Sequence, residues 1–356
     1  MFDVKDHLEN LSNAHGPSGH EKPIRLILEK EWARWVDETE VDGLGSFIGI
    51  KRATHPIETP RKIMLSAHMD EIGLMVRDIV DGFIYVARVA GLDSRLMLAQ
   101  PVVVHGKRPL KGVVATVPPH MLDAEERKNY PPTDALVVDV GLDAATVNEL
   151  VQVGDLITTD TAMMSLQNGL VSGKAFDDRA CVAVISHCLA ELQKMHHHWD
   201  VYATASVQEE NGLYGATTAA YHINPDIAIA LDVTFAPQPG VPQDSTAKIG
   251  EGPAIGYGAN FHPKLYQALI DTATYYEIPH QIDILPASSG TDAWAIQVAR
   301  EGIPSALLSI PIRNMHSPVE TLDIKDIQRA GRWLAQFIAS LDADFMPRLN
   351  WDEIPE

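Results

Sequence analysis

Apolar and polar positions change texture twice along this chain. Residues 3–14 carry apolar side chains at helical spacing, and a second helical pattern runs to about Trp35. Ser18 and Glu21 stand in the Ser-x-x-Glu pattern of a capping box, which predicts the start of that second helix. Strands are predicted around 36–41, 46–51 and 62–67. From about residue 73 to 165 short Val-rich runs alternate with Gly and Pro: GLMVRDIV, GFIYVARVA, PVVVHG, KGVVATV, ALVVDVG and DLITTD. That texture predicts a small all-β module of barrel type, with EERKNYPPTD as a polar loop. A helix follows at 177–194. Strands at 200–207, 227–231, 281–285 and 304–310 then alternate with helices at 213–222, 262–277, 292–301 and 324–341.

The predicted fold is therefore a three-layer α/β/α domain built from residues 1–72 and 166–356. A β-barrel module, residues 73–165, is inserted between its halves.

Charge narrows the partners. The 356 residues carry 28 Lys and Arg against 48 Asp and Glu, a net charge of −20. Such an acidic surface argues against nucleic acid and anionic membranes. Its plain reading is solubility, and it would also attract cations, including the protonated amine of a peptide N-terminus. Cys181 and Cys188 lie two turns apart on one predicted helix, too far for a disulfide, and read as buried thiols of a reducing compartment. The acidic start MFDVKDHLENLS is no signal peptide, and no apolar run approaches the roughly 20 residues of a membrane span. A cytoplasmic protein is expected.

Chemistry concentrates where apolar runs stop. Glu209 and Glu210 follow the strand-like VYATASV and precede the turn signal Asn211, Gly212. His68 and Asp70 stand in KIMLSAHMDEIG, Asp177 and Asp178 in GKAFDDRA, Asp232 at the end of IAIALD, and His316 in SIPIRNMHSPVE. If these segments lie side by side and parallel, all the side chains gather at one edge of the sheet. Each has a bland reading. A lone His on an apolar strand is usually core, Asp177 and Asp178 before Arg179 could cap a helix with a local ion pair, Asp232 could cap a turn, and Glu209 and Glu210 could be solvated. All of these coinciding at strand ends is the weaker account. Imidazole and carboxylate donors suit a pair of divalent ions, Zn²⁺ first, with Co²⁺ or Mn²⁺ as alternatives. A free carboxylate beside such ions would serve as general base.

Other motifs carry less. His196, His197 and His198 fall in a polar loop, where consecutive residues cannot all converge on one ion, and read as solvated. The Gly-rich stretch 240–258 lacks a phosphate-loop lysine and reads as a loop beside the active site. Residues 288–292 start a helix, either as a plain cap or as a wall of a substrate pocket. No GxSxG elbow occurs.

HGPSGHE, VDGLGS, SAHMDEIG, VSGKAFDDRA, SVQEENGLYGA, IALDVT, SSGTDA and IPIRNMHSPVE occur in that order. Together they resemble the tetrahedral (TET) aminopeptidases of metallopeptidase family forty-two, which includes glutamyl and deblocking aminopeptidases and proteins labelled endoglucanases. The resemblance implies that His68 and Asp232 hold one metal ion, Glu210 and His316 the other, and Asp177 bridges both. It makes Glu209 the general acid/base and Asp70 the hydrogen-bond partner of His68. It also implies a cis peptide before the second acid of the Asp pair, short peptides as substrates, dimers paired through the inserted module, and a dodecamer assembled from them. Three departures from the family pattern occur: Ser46 where Asn is frequent, Cys181 where Gly is frequent, and the pair Asn314 and Met315 where Tyr is common before the His. Two rival readings share the residues: a metal-dependent deacylase or carboxypeptidase on the same scaffold, and a non-catalytic peptide-binding or assembly protein using the β module.

Overall fold

The computed structural model describes residues 2–351. Residue 1 and residues 352–356, the two ends of the sequence-predicted α/β domain, lie outside the described residues. Helix α1 (Val4–Asn13) is capped by Asp3, whose carboxylate accepts from the amides of Lys5 and Asp6, and it buries Val4, Leu8 and Leu11. Helix α2 (Lys22–Trp32) has Pro in its first turn, where a missing N–H is harmless, and buries Ile24, Leu28 and Trp32. The expected capping box does not form. Glu21 makes no side-chain cap bond. Its Oε1 accepts instead from the amides of Gly19 and Gln208, while Ser18 Oγ donates to Asp70. Both residues of the pattern serve the loops that carry Asp70 and Glu209, a tertiary demand that overrides the local motif.

Strands β1 (Glu38–Val41), β2 (Phe47–Lys51) and β3 (Lys62–His68) follow. Next come β4 (Gly73–Val80), β5 (Phe83–Val89), β6 (Pro101–His105), β7 (Pro109–Ala115), β8 (Val137–Asp139) and β9 (Leu156–Thr159), which close into a barrel in the order β4-β5-β8-β7-β6-β9. Alternate side chains such as Leu74 and Val76, Ile84 and Val86, Val102 and Val104 fill its interior, as the period of two requires. The module is not all β. Helix α3 (Ser94–Met97) and helix α4 (Ala144–Leu150) belong to it, and α4 is capped by Asp143 and packs Val147 into the barrel core. The Val-rich surroundings masked this short helix.

A small antiparallel sheet was not anticipated: β10 (Met164–Ser165) and β11 (Leu170–Gly173) join a late strand at 320–323. Helix α5 (Phe176–Leu192) is apolar on nearly every side because the sheet and other helices surround it. Then come β12 (Asp200–Ser206), α6 (Tyr214–Ile223), β13 (Ile227–Phe235), β14 (Ala254–Tyr257), α7 (Pro263–Tyr275), β15 (Gln281–Ile284), α8 (Asp292–Ile296), β16 (Ser305–Ile312), β17 (Glu320–Asp323) and α9 (Ile324–Ser340).

The main sheet has eight strands in the order β1-β2-β12-β3-β13-β16-β14-β15. Its centre, β12, β3, β13 and β16, is parallel throughout. One face buries α1, α2, α5, α7 and α9, and the other buries α6 and α8. Three further expectations need correction. β13 runs on to Phe235 because Val233, Thr234 and Phe235 extend the β-prone run past Asp232. The Gly-rich 240–258 stretch contains β14, a main-sheet strand paired with β16 and β15, not only loop. Helix α8 stops at Ile296, well short of residue 301. Among the described residues no helix is long and apolar enough to cross a membrane.

Candidate metal centre

The four parallel central strands deliver their side chains to one edge. His68 is the last residue of β3 and lies opposite Ser206, the last residue of β12. Glu209 and Glu210 follow that strand after a left-handed turn at Gln208. Asp232 sits inside β13, opposite Ser309 on β16, rather than at the strand end the sequence suggested. His316 follows β16. Asp177 and Asp178 open α5 with non-helical backbone angles, and the peptide bond between them is cis.

Asp177 occupies the middle. Its Oδ1 lies 3.1 Å from His68 Nε2, and its Oδ2 lies 3.1 Å from His316 Nε2. His316 Nε2 is also 3.3 Å from Glu210 Oε1, whereas Glu209 Oε2 stands 3.8 Å from His68 Nε2. Two donors on one tetrahedral ion, with bonds near 2.0–2.1 Å, are separated by about 3.3 Å. The nitrogen–oxygen spacings here match that separation. Two groups of ligand atoms each fall within 4.8 Å of one another: Asp177, Glu210 and His316, and His68, Asp178 and Asp232.

Asp178 therefore reaches the second group, a placement the capping reading missed. It caps nothing, because neither of its carboxylate oxygens accepts a hydrogen bond from a backbone amide, and Arg179 pairs with Glu71 rather than with Asp178. Cys181, one of the departures from the family pattern, donates its thiol to the Asp232 carbonyl at 2.9 Å.

Two further carboxylates hold the donors. Asp70 lies 3.3 Å from His68 Nδ1 through Oδ1, which also accepts from the Glu209 amide. Its Oδ2 accepts from the Glu210 amide and from Ser18 Oγ. One buried carboxylate thus grips the turn that presents both glutamates and lies beside the imidazole ring. Glu320, on β17, accepts from the amides of Asp177 and His316 with separate oxygens. The sequence reading missed Glu320, although it lies four residues after His316.

Charge is unbalanced here. Burial opposes ionisation of Asp177, yet hydrogen bonds from His316 and His68 outweigh it and hold this carboxyl below the usual range. Burial pushes Glu209 up to about 10, with His68 pulling back and Asp232 and Asp292 adding to the rise. Burial and then Asp177 push Glu210 up to about 7. Asp232 and Asp178 are driven well above the carboxylate range by burial and by neighbouring acids. The hydrogen bond to Asp177 lifts His316 to about 9. This many buried acids around two imidazoles is a donor set for cations, and the buried Glu210 Oε1 has no hydrogen-bond partner.

A cavity of about 490 Å³ opens on Asp177, Glu209, Glu210, Asp232 and His316. Residues 289–291 form part of its wall, so the 288–292 segment is pocket lining as well as helix start. A cleft of about 540 Å³ beside His15, His20 and His105 shares none of these residues, and the ionisable cluster makes the first cavity the candidate site. The His tract is a loop, as expected, and His196 is exposed, but the tract is not solvated throughout. His197 is buried and donates Nδ1–H to the Trp199 carbonyl, while His198 binds the His55 carbonyl and His196 packs edge-on against His55.

The profile described as M42 glutamyl aminopeptidase matches residues 45–332. This chain belongs to the M42 peptidases. A lysyl aminopeptidase of Pyrococcus furiosus is 35% identical over 349 residues, covering 96% of this chain and 98% of that protein. A solved TET aminopeptidase from a marine-sediment Thaumarchaeota archaeon is 32% identical, with a TM-score of 0.92 over 98% of this chain and 99% of its own. The TET1 peptidase of Pyrococcus horikoshii, solved as able to assemble into a tetrahedron or a large octahedral shell, is 29% identical, with a TM-score of 0.83 over 95% of this chain and 100% of its own. As an M42 peptidase the chain is an aminopeptidase, a hydrolase of peptide bonds, and a purely non-catalytic role is set aside.

Proposed function

We propose that this M42 peptidase works through two divalent ions and removes N-terminal residues from short peptides. The observation that carries the reading is Asp177, which faces His68 with one oxygen and His316 with the other. On this reading His68 and Asp232 would hold one ion and Glu210 and His316 the other, with Asp177 placed to serve both. Zn²⁺ fits the donors best, and Co²⁺ or Mn²⁺ also fit. The ions, when bound, acidify water and polarise a carbonyl. Glu209, not needed as a ligand, takes a proton from the attacking water and passes it to the leaving amine. Asp70 keeps the His68 ring oriented with Nε2 toward the site.

Metal analysis and substrate panels test this together. About two ions per chain are expected, with activity abolished by chelation and restored by added metal. Aminoacyl-anilides should be cleaved, and N-acylated or C-terminal substrates should not. Turnover of the latter alone would move the assignment to the deacylase or carboxypeptidase reading.

The barrel bears on the site directly. A methyl group at Gly91 would lie 3.1 Å from His316 Nδ1 and 3.2 Å from Cε1. Gly91→Ala is expected to shift that ring and weaken metal retention about 10-fold, the scale of a ligand-supporting contact. Gly43→Ala, where nothing lies within 4 Å, is the control. Equal metal affinity in the two variants would disprove the contact's role.

We also propose a dodecamer, on the strength of the solved relatives, built from dimers that pair through the barrel as the family resemblance implies. A solution mass matching twelve chains would support this, and a stable monomer would refute it. A cytoplasmic location fits the acidic composition and the two free, buried thiols.

A further inference from the structure

The cavity beside the candidate metal centre has walls of two kinds. One is the cluster of acids and His316 already described. The other comprises apolar Phe235, Leu285 and Met315 together with Thr234 and Asp283. Among the described residues Asp283 is the one ionisable side chain in that second part, and no Lys or Arg lines the cavity.

Asp283 is built into this position. It lies on β15, the last strand of the main sheet, where Ile282 and Ile284 are exposed and Asp283 is half-buried. The period of two that turns the isoleucines outward turns Asp283 the other way. Thr234 Oγ1 donates to Asp283 Oδ2 at 2.6 Å. That bond fixes the carboxylate, and among the described residues no hydrogen bond engages its Oδ1.

We infer that this cavity receives the side chain of the substrate's first residue and that Asp283 selects a positively charged one, lysine or arginine. The inference rests on the aminopeptidase reading. A lysine or arginine has the right division of chemistry. Its methylene stem lies against Phe235, Leu285 and Met315, and its charged head reaches the free oxygen of Asp283. An acidic first residue meets the opposite case. Its carboxylate would face Asp283 with no cation in the wall to offset it, and like charges at close range select against a ligand. A leucine fills the apolar part but leaves Asp283 without a partner. The glutamyl preference in the description of the family does not carry over to a pocket with these walls.

The competing role for Asp283 is to bind the substrate's α-ammonium group, which every peptide carries. The two roles separate by substrate. Lysyl-, arginyl-, leucyl- and glutamyl-anilides are compared on metal-loaded wild type, Asp283→Asn and Asp283→Glu. Wild type is expected to show its highest kcat/KM on the basic substrates and its lowest on the glutamyl one. Asp283→Asn should lower kcat/KM on lysyl and arginyl substrates about 10-fold or more, chiefly through KM, and leave the leucyl value within about twofold. Asp283→Glu should restore the basic preference. An equal fall on lysyl and leucyl substrates would overturn the inference in favour of the α-ammonium role. A wild type that prefers the glutamyl or leucyl substrate would overturn it outright. Failure on all four anilides, with turnover of N-acylated substrates, would instead sink the aminopeptidase reading beneath it.

Discussion

Glu209→Gln is expected to keep its metal and lose about 10²–10⁴-fold in kcat, the range attributable to a positioned general base. Gln is nearly isosteric with Glu but cannot accept the proton. The turn that carries it would survive, because Asp70 grips the backbone amides of residues 209 and 210 rather than the Glu209 carboxylate. Glu209 also stands farther from His68 than Asp177 does, 3.8 Å against 3.1 Å, in keeping with the proposed role as base rather than ligand. Kinetics and metal analysis on the same preparation check the prediction. Undiminished turnover in the metal-loaded variant would remove Glu209 from the proton transfer, and loss of metal with activity would make it a ligand.

Glu71→Ala is expected to destabilise the protein by about 3–5 kcal/mol, the scale for stranding buried charge. Glu71 faces two buried cations, Lys174 at 2.8 Å and Arg179 at 3.0 Å, and also accepts from the Gly16 amide. Arg179 reaches on to the carbonyls of Leu11, Ala14, Gly16 and Met69. The cluster ties α1, the loop after β3 and the start of α5 together, directly behind Asp70 and Asp177.

The partners do not share the benefit equally. Burial works against Glu71, yet Lys174 and Arg179 overcome it and hold the carboxyl at about 2. Burial dominates for Lys174 and draws its ammonium down to about 8 in spite of Glu71. Two cations share one acid, so the cluster's main product is position rather than net stability. The Glu71 contribution is complete above its unfolded value near 4.5 and fades as the pH drops toward 2. Denaturant titrations of metal-free wild type and variant at pH 7 measure the difference. A gap under about 1 kcal/mol, the size of a surface pair, would refute the role assigned to the cluster.

Much of the site was legible because its residues sit where apolar periodicity breaks. His68 after IMLSA and the glutamates after VYATASV are visible that way, and the parallel order of β12, β3, β13 and β16 brings them to one edge. Asp232 was found for a partly wrong reason, since its strand continues past it. Of the residues around the donors, Asp70 was named through the family resemblance, but the parts played by the others were not legible. Glu320, Ser18 and Glu71 act on backbone amides and distant charges, which leave no local period. Asp178 looked like a helix cap because a cap and a buried acid look alike in sequence. The strands β10, β11, β14 and β17 are too short to show a pattern of their own. Each exists because a neighbouring strand offers its edge.

The close approach of the Gly91 backbone to the His316 ring also limits how the chain can be cut. The loop after β5 forms part of the housing of the imidazole, and Leu92 and Met97 of the same module line the space next to Glu210 and His316. A minimal hydrolase made by splicing out residues 73–165 would therefore lose part of its own active-site enclosure. Its inactivity would say nothing about whether subunit association is required for turnover. Answering that question requires single substitutions on the outer surface of the barrel, with the inner loop left intact.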